Sequence, residues 1–243
     1  MAERLRICAA LAFVAIASAL PRASIAQPVT AAVSSPPGAS APAASTPIDR
    51  YRAALAALAP LKDMVFQYAE SRTGPARTIV EEHRVYRRVD GAERNETIAV
   101  DGAQVVPAIV HLESAPAWPY DVRAFSVSAA DYEVMPLGAR VVDGKRAFGL
   151  SAVRTSNGDF AVTAIFLDEK RWLPLRETFD VSGGGCAGTG SIDFEPVGTA
   201  WLPASTKVSC AVGEGGPTFK ESITFSEYSF PLALPSEIFG AQS

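Results

Sequence analysis

Histidine and cysteine are scarce in this 243-residue chain, with 2 and 3 copies. Neither type occurs in the short-range pairs that structural zinc sites use, so a site joining Cys186 and Cys210 to His83 and His111 is not expected. No metal or cofactor is anticipated. A G-x-S-x-G elbow, an H-E-x-x-H pair and a P-loop are also missing. Nothing singles out one serine as a nucleophile, and the chain reads as a non-enzyme. Gly183 to Gly188 formally satisfies G-x-G-x-x-G, but it leads into the strand-like Ser191-Ile192-Asp193-Phe194 rather than a helix. Those glycines therefore read as a hairpin connection. A basic cluster is lacking too: 22 Lys and Arg stand against 26 Asp and Glu, for a formal charge of -4. Neutralising a phosphate backbone needs several convergent cations, so nucleic acid is excluded as a partner.

Long apolar runs are confined to the N-terminus. Arg4 and Arg6 precede the run from Ile7 to Leu20, and Ser24-Ile25-Ala26 follows it. A run of about 14 residues is too short to cross a bilayer core of about 30 Å as a helix, and the pattern is that of a secretory signal peptide over 1–26. Residues 27–47 are almost wholly Ala, Pro, Ser, Thr, Val, Gly and Gln without charge, which reads as a flexible tether. The rest, 48–243, is expected to form one domain. Export places it in a periplasm-like compartment that permits disulfides. Cys8 lies within the signal, so Cys186 and Cys210 are expected to pair.

What remains has 48% hydrophobic and 20% charged residues, enough for a real core. Thr46-Pro47-Ile48-Asp49 supplies an N-cap, a proline at the first helical position and an acid at the third, so a short helix should start there and end before Pro60. Tyr51, Leu55 and Leu58 recur along it at helical spacing. Beyond Pro60 the period changes to two. Asp90-Gly91, Asp101-Gly102, Asp143-Gly144 and Asn157-Gly158 punctuate alternating runs, which predicts about ten antiparallel strands. From Ala103 to Ala130 the pattern weakens around Pro107, Pro116 and Pro119, with Val122 to Ala130 read as a short helix crossing one face.

So many strands must curl or close. The expected fold is α+β, mainly antiparallel β: one strongly curved sheet, a half-open barrel, with one or two short helices on its concave side. One short helix cannot cover the concave face, which is expected to hold an accessible apolar cavity lined by Phe148, Leu150, Phe166, Leu173, Leu175 and Phe225. Arg84, Arg88 and Arg94 surround the Asp90-Gly91 hairpin. They read either as a solvated, ion-paired ribbon or as guanidinium groups at the cavity mouth, placed to meet a lipid headgroup. His83, among charged neighbours on an alternating strand, is expected to be solvated.

The order of these elements resembles the periplasmic lipoprotein-localisation superfamily, which includes the LolA-like carriers and LolB-like receptors and the N-terminal domain of the MucB-type envelope-stress regulators. The stretches that carry the resemblance are His83 to Arg94 with Val100-Asp101-Gly102, Asp131-Tyr132-Glu133-Val134 with Val142 to Arg146, and Phe166-Leu167-Asp168 with Trp172 to Arg176. It implies a periplasmic binding protein, of the lipoprotein carrier or envelope sensor type, that holds a lipid, fatty acyl chain or lipoprotein in its concave face. An envelope protein partner and peripheral membrane contact go with that reading. The alternative is a non-catalytic interaction module with a closed core.

Overall fold

The computed structural model describes residues 45–114, 121–183, 185–213 and 215–240. The expected signal peptide and nearly all of the tether lie outside these residues.

Thr46 has an extended backbone and caps helix α1 (Pro47–Ala57). Its hydroxyl accepts from the Asp49 amide at 3.3 Å, and the Asp49 carboxylate accepts from the Thr46 amide at 3.1 Å. That reciprocal pair satisfies two of the donors left free at a helix start. Among the described residues eleven strands follow: β1 (Met64–Thr73), β2 (Thr78–Arg87), β3 (Ala92–Val100), β4 (Ala103–Ser114), β5 (Tyr132–Val142), β6 (Lys145–Arg154), β7 (Phe160–Asp168), β8 (Pro174–Val181), β9 (Cys186–Val197), β10 (Ala200–Val212) and β11 (Thr218–Ser229). Asp101-Gly102 and Asp143-Gly144 make the tight turns their composition demands. Both residues of each pair have positive φ, 50° and 78° in the first and 47° and 76° in the second.

All eleven strands form one antiparallel sheet in the order β4-β3-β2-β1-β11-β10-β9-β8-β7-β6-β5, with β4 and β5 at its free edges. Every neighbour is a sequential hairpin except β1 with β11. The link from β4 to β5 must therefore travel from one edge of the sheet to the other. Val122, Phe125 and Val127 on that link are buried in the same cluster as Tyr51 and Leu55 of α1, so the link crosses the face that carries the helix. That cluster runs from Val142 on β5 to Trp201 on β10. Laid flat, six strands span roughly 24 Å at 4.8 Å per step, too wide for one short helix. The sheet wraps around it, leaving the curved, open half-barrel.

Two local readings of the sequence change. Residues 103–114 form a full strand despite Pro107. β4 is an edge strand, and its pairing to β3 shifts register between Thr97 and Ala99, so proline falls where no ladder hydrogen bond is needed. The crossing segment is not a helix to Ala130 but a single 3-10 turn, Val122–Phe125, capped by the Asp121 carboxylate. Gly183 to Gly188 opens no helix: β8 ends at Val181 and β9 starts at Cys186.

Cys186 and Cys210 form the expected disulfide across β9 and β10, with Cα atoms 5.6 Å apart. The register pairs Cys210 with Gly188 and Cys186 with Val212, so the bridge is diagonal. A Cβ at Gly188 would lie 2.8 Å from the Cys210 Cβ, and only glycine leaves the bridge room.

Candidate functional site

Directly opposed residues of antiparallel strands project to the same face, so the register defines the inner face residue by residue. One row reads Glu81, Glu70, Ile223, Thr206, Ile192, Glu177, Ile165, Leu150 and Pro136, from β2 across to β5. The row is apolar beneath α1, carries one carboxyl in its middle and is acidic at the β1–β2 end.

Beneath α1 the face is packed. Leu150 and Leu175 are buried in the cluster that holds Tyr51 and Leu55, and Leu173 joins them. Phe148 is half-buried at its margin, with its ring centroid 5.8 Å from that of Trp172, and Arg50 of α1 lies over the other ring at 5.0 Å. Phe225 sits elsewhere, and Phe166 is half-buried at the margin of the cluster without lining its inner row. Phe166 pairs with Gly149 and Arg176, on the side opposite the Leu150 row. The cause is a bulge: the register slips at Thr163 between Val162 and Ala164, and one extra residue reverses every later side chain. Ile165 and Leu167 thus take the inward places that strict alternation gives to Ala164 and Phe166. Phe225 faces inward but belongs to a second cluster with Met64, Phe66, Val85, Leu202 and Ile223, its ring 6.1 Å from that of Phe66.

The three arginines do not converge on the inner face either. Arg84 and Arg94 project outward, opposite Glu96 and Tyr86. Arg94 is buried, bonded to Glu96 at 2.7 Å and donating to the Ile238 carbonyl at 2.9 Å. Arg88 pairs with Asp90 at 2.6 Å and lies over the Phe239 ring at 5.7 Å. Arg88 and Arg94 hold the C-terminal segment against the β2–β3 hairpin, where its 3-10 turn Ser236–Phe239 covers them. The structure also buries an ion pair between Arg87 and Glu93 at 2.9 Å.

Sequence reasoning missed the two polar features of the inner face. The first is Glu177, 1% exposed and surrounded by the apolar cluster. Neither carboxyl oxygen makes a hydrogen bond of ordinary geometry, and the group facing it is the Tyr51 phenol of α1. Burial raises the Glu177 carboxyl well above the ordinary carboxylate range. Burial, and then the negative charge of Glu177, raises the Tyr51 phenol well above its own. The signal was readable: Leu175-Arg176-Glu177-Thr178-Phe179 places a carboxylate at period two between two inward apolar residues.

The second is the cluster at the β1–β2 end, and it reverses the expectation for His83. His83 is 6% exposed, because Tyr68 opposite it on β1 stacks its ring on the imidazole at 4.4 Å and 13°. Burial lowers the imidazole pKa. Around it stand Glu70, Glu81 and Arg72, with Arg72 bonded to Glu81. Burial raises Glu70. Burial, then the Glu70 charge, pushes Glu221 up to about 7. On the opposite face of β1, β9, β10 and β11 a shallow cavity of about 530 Å³ is lined mainly by polar side chains, among them Ser71, Thr73, Ser191, Lys207, Ser209 and Lys220.

No family model matches the chain, and no curated protein does. Among solved structures the chain is similar to a LolA superfamily protein from Nitrosomonas europaea, at 13% identity and TM-score 0.46, covering 81% of this chain and 98% of that one. It is similar to the MucA/MucB complex of Pseudomonas aeruginosa at 15% identity and TM-score 0.26, covering 74% and 92%. It is similar to the lipoprotein LppX of Mycobacterium tuberculosis at 12% identity and TM-score 0.31, covering 78% and 96%.

Proposed function

We propose that this protein is a non-catalytic periplasmic binding protein that takes a lipid or acylated ligand against the inner face of its sheet, beneath α1. The observation that carries the reading is the seam between α1 and Glu177. Of the eleven residues of the helix only Tyr51 and Leu55 are buried, yet with Val122, Phe125 and Val127 of the crossing link they roof an apolar surface contributed by six strands. At the centre of that contact is a buried carboxyl faced by the Tyr51 phenol of the helix itself, and taking such a group out of water costs about 1–3 kcal/mol. A cover that closes over a desolvated carboxyl is cheap to lift. Lifting it exposes Leu150, Ile165, Leu175, Phe179 and Ile192 as an apolar floor around the Glu177 carboxyl.

Each methylene buried there contributes about 0.8 kcal/mol, so a chain of 14 to 16 carbons gains on the order of 10 kcal/mol before ordering costs. That is enough for micromolar binding. The proposal extends to a carrier or envelope-sensor role for an acylated protein, supported by the sequence resemblance.

A second reading has its own observation: Leu150, Leu173, Leu175 and Phe225 are each 7% exposed or less, as in the closed core of an interaction module. Native mass spectrometry of the purified protein, with titration of a fluorescent fatty acid, separates the two. A co-purified lipid or saturable 1:1 uptake supports the ligand. Absence of both, together with a loss of about 1–3 kcal/mol from overpacking in Leu150→Trp, makes the face a core.

A further inference from the structure

The inner face carries, at its β1–β2 end, a set of side chains with the chemistry of a metal site. Glu70 on β1 stands directly opposite Glu81 on β2, and His83 is two residues further along the same face. One ligating atom from each lies within 4.8 Å of the other two. The imidazole Nε2 is 3.7 Å from Glu81 Oε2 and 4.0 Å from Glu70 Oε2. These separations are too long for hydrogen bonds. They exceed by a few tenths of an ångström the separation of roughly 3.3–3.5 Å between ligands in a tetrahedron of about 2.1 Å bonds.

The second observation is the state of the imidazole. His83 is more than nine-tenths buried, and its Nε2 has no hydrogen-bond partner. The other nitrogen, Nδ1, is 3.1 Å from Asn95 Oδ1. Asn95 in turn donates its amide to the Tyr68 hydroxyl at 2.9 Å, which fixes its oxygen toward the imidazole. The Thr97 hydroxyl lies 3.4 Å from the same nitrogen; with Nδ1 donating to the amide oxygen, Nε2 presents a lone pair toward two carboxylates. A metal-ligating histidine is oriented in this way, by an acceptor held behind its other nitrogen. The Glu70 Oε1 atom is likewise buried without a hydrogen bond.

We propose that Glu70, Glu81 and His83 bind a divalent transition-metal ion of the zinc class. An imidazole with two carboxylates suits zinc and its neighbours, whereas magnesium and calcium prefer all-oxygen shells. Three protein ligands leave a fourth position for water or an anionic group. Arg72 is the cation at the site now: it is bonded to Glu81, and its Nε is 3.4 Å from Glu70 Oε1. Metal entry displaces that guanidinium, which reaches solvent at one side together with Glu81. Arg72 is thus a competitor, and removing it strengthens binding.

The test uses tag-free, chelator-stripped protein and zinc chloride alone, followed by isothermal titration and by imidazole ¹⁵N NMR. The chain has only two histidines, so the spectrum is assignable with His111→Ala. One zinc per chain is expected, with the Nε2 resonance of His83 moving and that of His111 fixed. Affinity should fall at least tenfold in His83→Ala and Glu70→Gln and rise in Arg72→Ala, while magnesium and calcium leave the spectrum unchanged. Absence of stoichiometric binding, or binding that leaves the His83 Nε2 resonance in place, overturns the proposal. The wild-type spectrum decides the matter even if His83→Ala fails to fold.

Discussion

Replacing Glu177 by glutamine removes one titrating group from the core while keeping its shape, and the consequence can be worked through linkage. The unfolded carboxyl titrates near 4.5, and burial raises the folded value well above it. Between those two values the folded state holds a proton that the unfolded state has released. Stability therefore falls as pH rises through this window, by about 1.4 kcal/mol per pH unit. The stabilising contribution is complete below the unfolded value and is lost above the folded one. Glu70, Glu93 and Glu221 are raised as well, so the wild-type curve alone mixes several groups. The difference between wild type and Glu177→Gln isolates one. From pH 5 upward the variant should gain on the wild type by about 1.4 kcal/mol per unit, or about 3–5 °C in Tm for a domain of this size, until the folded carboxyl ionises. Urea midpoints at half-unit steps of pH, with m-values checked for constancy, provide the measurement. Parallel curves for the two proteins would refute the burial of the Glu177 carboxyl beneath α1.

Other outcomes follow from single contacts. Arg87→Ala leaves Glu93 buried without its guanidinium and should cost about 3–5 kcal/mol in denaturant titration. Thr46→Ala deletes the capping box of α1 and should cost about 1 kcal/mol in the same assay. Reducing the Cys186–Cys210 bridge, whose ends are 24 residues apart, should cost about 3–4 kcal/mol in the chain-entropy account. Thiol titration of the unreduced, unfolded mature protein, without the leader that holds Cys8, should find no reactive cysteine.

Much of the sheet was legible because the local signals are strong and agree. Asp-Gly pairs fixed two tight turns, and Thr46, Pro47 and Asp49 fixed the start of α1, since each acts through neighbours within three residues. β4 was hidden because it is an edge strand with little to bury, which leaves no alternation to read. The site was less legible for a different reason. Period-two reasoning holds only while the register does, and the bulge at Thr163 sent Phe166 outward and Ile165 inward without any local mark in the sequence. The cluster of Glu70, Glu81 and His83 depends on the pairing of β1 with β2, which alternation alone cannot supply. Glu177 was visible in the sequence as a charge on the apolar side of its strand.

The central claim is that an acyl chain lies between α1 and the apolar row of the inner face, and photolabelling tests it most directly. A fatty acid carrying a terminal diazirine, irradiated with the protein and mapped by peptide mass spectrometry, should label α1 around Tyr51 and Leu55 and the floor around Leu150, Ile165 and Phe179. Unlabelled fatty acid should suppress that labelling in competition. Labels confined to the outer polar cavity or the β4 edge, or labelling that competition leaves unchanged, would contradict the account.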